Sequence, residues 1–330
     1  MKPVLVASIL LIPATALLAS LFALGMRRLS FGQTIRDVGP AGHAGKAGTP
    51  TMGGGLILVL WAVTSVLLTR AGSWGRLETA VLTSGLLFGG IGALDDLLSL
   101  ARARSLGLTG WQKMALIAAA AVGLYFLFPD VLSTPVRVPF CSIVVSLPWW
   151  GSLLLVWFVF ASTTNAANLT DGLDGLAAGS SLLILAGFMI LVPMPGVFRL
   201  LAPLAAILLG FLWINSHPAG LFLGDVGSFG LGGVIAAFAL GNGLAFILPI
   251  LAGLFVLETA SVILQVACYK VTGRRLFRMS PLHHHFEASA APSRSSILPS
   301  PLWIETAVTA RFLILQALFV GMAIAAVYTG

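Results

Sequence analysis

Acidic residues are scarce in this chain, 11 in 330, and charged residues of both signs together make up only 9% of it. A soluble domain carries about 25% charged residues, so a water-soluble core of this composition is excluded. Cysteine is nearly missing: Cys141 and Cys268 are the two present, too few for a disulfide framework or a cysteine-built metal cluster. The alternation of apolar and polar residues that marks a membrane β-barrel is also lacking. Long apolar runs fill the chain instead, with 58% apolar residues and a mean hydropathy of +1.02. The fold class is therefore an all-α polytopic integral membrane protein surrounded by membrane lipid, since helices satisfy their own backbone groups in hydrocarbon. The net charge of +7 reads as the positive-inside signal of such a protein rather than as a nucleic-acid footprint, and no nucleic acid is expected as a partner.

A helix crosses the hydrocarbon with about 20 apolar residues. Ten segments qualify: 3–26, 51–69, 79–100, 113–128, 149–168, 175–193, 199–215, 227–242, 245–270 and 306–328. The ninth is long and contains Pro249 and Gly253, which predicts a kink. The turn Gly241-Asn242-Gly243 separates it from the eighth. The first run is too long for a signal peptide and ends at Arg27-Arg28, so it reads as an uncleaved span. Ten spans put both termini on one side. The connections at 27–50, 101–112, 165–175, 215–226 and 270–305, with the adjoining span ends, share the other side and hold 13 of the 18 lysines and arginines. That bias places them in the cytoplasm and the termini on the extracytoplasmic side. Cys141 and Cys268 then fall on opposite sides, which excludes a disulfide between them. No internal repeat is visible. The chain reads as a single membrane domain, 1–330, whose catalytic face is built from 27–50, 95–113, 165–175, 215–228 and 270–305. Within the last of these, 288–301 is rich in Ala, Ser and Pro, the composition of a flexible stretch.

Five of the acidic residues are aspartates at the rims of these runs, where a carboxylate is costly unless it has a task. Asp95 and Asp96 close the third span. Adjacent carboxylates repel, and the cost falls if a divalent cation or a basic partner lies between them. On a helix they point about 100° apart, so they split roles rather than chelate together; a solvated helix end is the plain alternative. Asp171 and Asp174 share a face if their segment opens the sixth helix, and either could serve as an ordinary N-cap. Asn165 and Asn168 lie just before them, and amides beside carboxylates suit hydrogen bonding to a sugar or a base edge. Asp225 follows Gly224 at the mouth of a helix, where glycine permits close approach. Several carboxylates on one face with a phosphate substrate argue for Mg²⁺; zinc is disfavoured because neither cysteine is near. His283, His284 and His285 are consecutive, so they cannot easily face one ion. A phosphate-binding or substrate-positioning role is the reading taken, with a basic loop on lipid headgroups as the alternative. Lys46, with Thr49 and Thr51, is a glycine-flanked cation with two hydroxyls, though not a P-loop. Lys113 is a phosphate contact or a snorkelling anchor. Glu258 lies inside the ninth span and needs a partner that the sequence does not name.

The strings that run from Lys46 to Gly54, Leu94 to Leu97, Asn168 to Ala177, Phe222 to Ser228, Glu258 to Gln265 and Phe277 to Glu287 together resemble the phospho-N-acetylmuramoyl-pentapeptide transferases. These are the translocase I enzymes of bacterial peptidoglycan synthesis, within the polyprenyl-phosphate hexosamine-1-phosphate transferases. The aspartate strings are common to that superfamily; the triple histidine followed by Phe286-Glu287 favours the muramoyl-pentapeptide branch. The resemblance implies ten spans, a homodimer in the bacterial inner membrane, Mg²⁺, and two substrates, UDP-N-acetylmuramoyl-pentapeptide and undecaprenyl phosphate, converted to lipid I and UMP. It implies that Asp95, Asp96 and Asp225 are catalytic together with His283, and that Asp225 is the metal ligand. Lys46, Thr49, Thr51, Lys113, Asn165, Asn168, Asp171, Asp174, Phe222, His284 and His285 are then substrate-binding. Gly45 and Leu106 stand where the family commonly has lysine. The competing readings are a transferase of N-acetylglucosamine-1-phosphate to the same carrier and, in another class, a transporter of an anion or metal. A transporter predicts midplane charges and repeat symmetry; here the aspartates sit at the rims and no repeat is visible.

Overall fold

The computed structural model describes residues 2–28, 48–69, 74–102, 107–288 and 296–329. In chain order its helices are α1 (Lys2–Arg28), α2 (Gly53–Thr69), α3 (Arg76–Ala101), α4 (Gly110–Leu127) and the single turn α5 (Pro129–Leu132). After a small hairpin of β1 (Val136–Arg137) and β2 (Val144–Val145) come α6 (Trp149–Thr170), α7 (Leu176–Leu191), α8 (Pro195–Asn215), α9 (Gly224–Gly241), α10 (Leu248–Leu251), α11 (Gly253–Thr272), α12 (Leu282–Phe286) and α13 (Glu305–Tyr328). Eight of them, α1, α3, α4, α6, α8, α9, α11 and α13, are long and apolar enough to cross a membrane, and α2 and α7 are shorter apolar helices. Each of the ten expected spans thus has a helix, and the chain is a multi-pass α-helical membrane protein. Aliphatic and aromatic residues such as Trp213, Ile263 and Leu318 stay exposed on the outer faces, as contact with lipid requires.

α9 is the central helix, buried on nearly all sides between α2, α3 and α6. Its own sequence explains this: Gly224, Gly227, Gly230, Gly232 and Gly233 leave room for neighbouring backbones at close range. Phe88 of α3 stacks on Phe160 of α6 beside it, with ring centroids 4.8 Å apart.

The ninth expected span is broken rather than bent. α10 and α11 are separated at Ala252 (φ −101°, ψ 38°), next to Pro249 and Gly253. A break inside hydrocarbon frees backbone groups that need partners. Gln316 of α13 supplies them: its Nε2 donates to the Leu251 carbonyl at 2.7 Å, and its Oε1 accepts the Leu254 N–H at 3.3 Å. The hairpin was not anticipated. Val136 pairs with Val145 and Arg137 with Val144, antiparallel. It lies with α5 at the end of the bundle that carries the Arg76–Asp130 ion pair, remote from the aspartates. Cys141 and Cys268 are both free.

Candidate active site

Four of the five rim aspartates meet where α3, α6 and α9 end or begin. The meeting depends on Gly92. A Cβ there would lie 2.1 Å from the Asp225 carbonyl oxygen, so α3 rests on the backbone of α9 one turn before Asp95 and Asp96. These two carboxylates diverge, as their offset along the helix requires. Asp95 Oδ1 accepts the Leu108 N–H at 2.6 Å, and its Oδ2 is 2.9 Å from Lys113 Nζ. Asp96 accepts the N–H groups of Asp225 (3.2 Å) and Val226 (3.0 Å), two of the otherwise unpaired donors in the first turn of α9. There the helix dipole also favours negative charge.

Asp225 faces the same cluster from α9. Its Oδ2 is 2.8 Å from Lys113 Nζ, and its Oδ1 accepts Asn168 Nδ2–H at 2.7 Å. Lys113 therefore bridges Asp95 and Asp225, and lies over the Phe229 ring at 5.5 Å. Asn168 also reaches Ser228 Oγ at 3.1 Å. Asp171 caps the end of α6. Burial pushes its carboxyl well above the ordinary range, the charges of Asp225 and Asp96 push it the same way, and a hydrogen bond from the Gly224 N–H opposes them.

Asp174 belongs to a neighbouring group. Its side chain is buried, and its Oδ2 accepts the Ala219 N–H at 3.1 Å and contacts His217 Nδ1 at 3.0 Å. His217 Nδ1 is 3.5 Å from Glu305 Oε2, and Glu305 Oε1 accepts the Asp174 N–H at 3.1 Å. Sequence reasoning passed over His217 and Glu305. The polar triplet Ser216-His217-Pro218 inside the 215–226 connection, and the scarcity of acids that makes Glu305 stand out, were the signals available.

Phe222 links the 50s segment to α9 through its backbone: its N–H donates to Pro50 O at 2.8 Å, and its carbonyl accepts the Gly53 N–H at 2.9 Å. This brings buried Thr51 to the mouth of α9, where its Oγ1 would lie 2.9 Å from a Cβ on Gly224. Thr49 is half-buried on the same segment. Asn165 bonds back into its own helix, Nδ2 to Ala161 O at 2.7 Å, and contacts Met114 Sδ at 3.5 Å rather than the carboxylates. Lys46 lies outside the described residues, as do Gly45 and Leu106.

The three histidines of α12 face three different partners. His283 is fully buried with Glu258, Nδ1 to Oε1 at 3.2 Å. His284 Nδ1 is 2.8 Å from Glu287 Oε2. His285 Nδ1 accepts the Arg278 N–H at 3.1 Å. Burial, opposed by a backbone hydrogen bond at Pro299 and supported by the Arg278 charge, lowers the basicity of His285.

Two groups have the donors to hold a cation. Asp95, Asp96, Asp171 and Asp225 gather carboxyl oxygens, which suit a hard ion, with Lys113 the one ammonium paired to them among the described residues. Asp174, His217 and Glu305 bring one ligand atom each to within 4.8 Å of one another, a set that includes an imidazole.

Comparison with known proteins agrees with this arrangement. The profile described as glycosyl transferase family 4 matches residues 79–242, the stretch that contains Asp95, Asp96, Lys113, Asn168, Asp171 and Asp225. A phospho-N-acetylmuramoyl-pentapeptide-transferase of Desulforamulus reducens is 43% identical over 301 residues, 89% of this chain and 86% of the relative. The protein of the same name from Heliobacterium modesticaldum is 44% identical over 283 residues, 82% and 85% of the two chains. That from Geobacillus sp. is 42% identical over 280 residues, 83% and 86%. The chain belongs to the phospho-N-acetylmuramoyl-pentapeptide transferase family. Membership gives the clustered aspartates an enzyme context, that of a phosphotransferase. It also argues against the transporter reading, which asked for charges at the midplane.

Proposed function

We propose that this transferase moves phospho-N-acetylmuramoyl-pentapeptide from UDP-N-acetylmuramoyl-pentapeptide to undecaprenyl phosphate, giving lipid I and UMP. The observation that carries the reading is the convergence of Asp95, Asp96 and Asp225 from two helix ends, with Lys113 between them, in a chain of this family. Both reactants are anions, so their mutual repulsion is the main barrier. A site for the reaction has to hold positive charge between phosphates while sitting at the membrane rim, where a lipid-borne phosphate and a soluble nucleotide can both arrive.

The carboxyl oxygens gathered at the mouth of α9 suit Mg²⁺, and Asp225 would hold it, with Asn168 and Asp95 at its sides. When bound, the ion would neutralise charge on the pyrophosphate. The chain's own groups do the rest. Lys113 Nζ offers donors to phosphate oxygens once it turns from Asp225, and Lys46, Thr49 and Thr51 add donors from the 46–51 segment. Asp96 fixes the α9 N-terminus and so the direction in which Asp225 points. Asp95 orients the carrier phosphate. A phosphate monoester loses its second proton at a pKa of about 6, so at neutral pH the carrier oxygen is already a competent nucleophile and a strong base is not needed. That oxygen forms a bond to the sugar-linked phosphorus, the bridging P–O bond breaks, and UMP leaves with the electron pair. Asp171, Asp174, Asn165 and Phe222 line the uridine side in this reading, and His284 and His285 shape the sugar and phosphate side. His283 supports the Asp171 loop from behind.

The same reading makes 1–330 one membrane domain, places the site on the cytoplasmic face of the inner membrane with both termini outside, and makes the protein a homodimer. The deciding test offers purified protein UDP-N-acetylmuramoyl-pentapeptide or UDP-N-acetylglucosamine with undecaprenyl phosphate, and follows UMP. Release with the muramoyl donor alone is expected; release with N-acetylglucosamine alone would reassign the chain to the sister activity.

A further inference from the structure

Glu258 lies within α11 and is fully buried. A carboxylate at that position in an apolar helix is costly without a partner. His283, 25 residues further on and equally buried, is the partner. Glu258 Oε1 is 3.2 Å from His283 Nδ1, at ion-pair distance though off the line of a hydrogen bond. Glu258 Oε2 accepts the His283 backbone N–H at 3.3 Å. The other edge of the ring is as confined. His283 Nε2 is buried with no hydrogen-bond partner among the described residues, and it lies against Gly172: a Cβ at that residue would lie 2.2 Å from Nε2 and 2.7 Å from Cε1. The imidazole therefore sits between a carboxylate of a membrane helix and the backbone next to Asp171.

We infer that Glu258 is a positioning residue for the transfer reaction: acting through His283, it holds the imidazole against Gly172 with the proton on Nδ1, and so sets where Asp171 stands relative to Asp225. The carboxylate beside Nδ1 selects this tautomer, because a bare Nδ1 would face a negative oxygen. The absence of a side chain at residue 172 is what lets the ring close the gap. Isolated packing of two buried groups would explain stability alone. The line from Glu258 through His283 and Gly172 to Asp171 explains why an ionisable pair sits there instead of two apolar residues, which would pack at least as well.

This inference rests on the transferase reading, and its test separates the two. Full-length protein in nanodiscs, labelled with ¹⁵N-histidine, gives the ring nitrogen signals of His283, assigned by their loss in H283N. The wild type is expected to show a protonated Nδ1. E258Q should shift both ring nitrogens and lower kcat about 10²-fold with KM for the nucleotide sugar within about threefold. E258D keeps the charge and should recover part of the kcat. Unchanged ring signals in E258Q, an unchanged kcat, or an E258D no better than E258Q would overturn the inference. Should E258Q not fold, E258D alone decides: ring signals and kcat both at wild-type values, despite the shortened side chain, would overturn it. A wild type that transfers nothing to the carrier would sink the transferase reading, while the ring signals would still report the dyad.

Discussion

Gly92 of α3 and Asp225 of α9 meet backbone to backbone. A Cβ on Gly92 would lie 2.1 Å from the Asp225 carbonyl oxygen and 2.7 Å from the Val226 nitrogen. This contact sets the separation between the Asp95–Asp96 pair and Asp225, and through it the size of the space a pyrophosphate could occupy.

G92A should therefore push the two helix ends apart. Overpacking of this kind costs about 1–3 kcal/mol, and a displacement near 1 Å can cost about 10²-fold in rate. Transfer assays on the folded fraction are expected to show that loss. A G92A protein with wild-type kcat would mean that the α3–α9 spacing does not govern the site.

Lys113 bridges Asp95 and Asp225 at 2.9 and 2.8 Å. K113M leaves two like charges facing each other, and breaking a half-buried pair this way is expected to cost about 1–3 kcal/mol. Thermal melts in one detergent should show a lower Tm for K113M and partial recovery in K113M with D225N, since the second change removes the stranded charge. Additive losses in the double variant would show that the bridge is not coupled.

Gln316 patches the break between α10 and α11 through the Leu251 carbonyl and the Leu254 N–H. Q316L strands the Leu251 carbonyl and the Leu254 N–H, at about 1–3 kcal/mol. A Tm lower by several degrees, with kcat per folded molecule near wild type, is the expected result.

His285 gives a pH dependence with a definite sign. Burial lowers its folded-state basicity, and its Nδ1 accepts the Arg278 N–H, which a protonated Nδ1 could not do. The unfolded chain takes up that proton near pH 6.5, while the folded protein resists it. Stability from this group is thus full above about pH 6.5 and falls as the pH drops through the folded value. H285Q should flatten the melting-temperature profile on the acid side of about pH 6.5; a profile as steep as wild type would remove His285 as the cause.

The spans were legible because hydrocarbon thickness forces long apolar runs; Pro249 and Gly253 marked where the ninth is disturbed, but a kink was expected there and the helix is broken instead. The hairpin was not legible: two-residue strands carry no periodicity, and 129–148 looks like any connection. The aspartates stood out because a carboxylate at a membrane rim is costly. Their partners did not, since which side chain Asp95 or Asp225 meets depends on how α3, α4, α6 and α9 are rotated against one another. Glu258 shows the same limit. Its need for a partner was readable, but the partner came from a separate helix and the wedge from a missing side chain at Gly172. His217 and Glu305 join Asp174 from two other elements, with no local pattern to announce them.

The most direct test of the central claim, that carboxylates from separate helix ends serve one divalent ion in sugar-phosphate transfer, is UMP release from UDP-N-acetylmuramoyl-pentapeptide in the presence of undecaprenyl phosphate, titrated with Mg²⁺ for wild type and D225N. The account predicts release that requires Mg²⁺ in the wild type and is lost in D225N at every Mg²⁺ concentration. Release that persists in a chelator, or a D225N protein with the wild-type Mg²⁺ response, would contradict it.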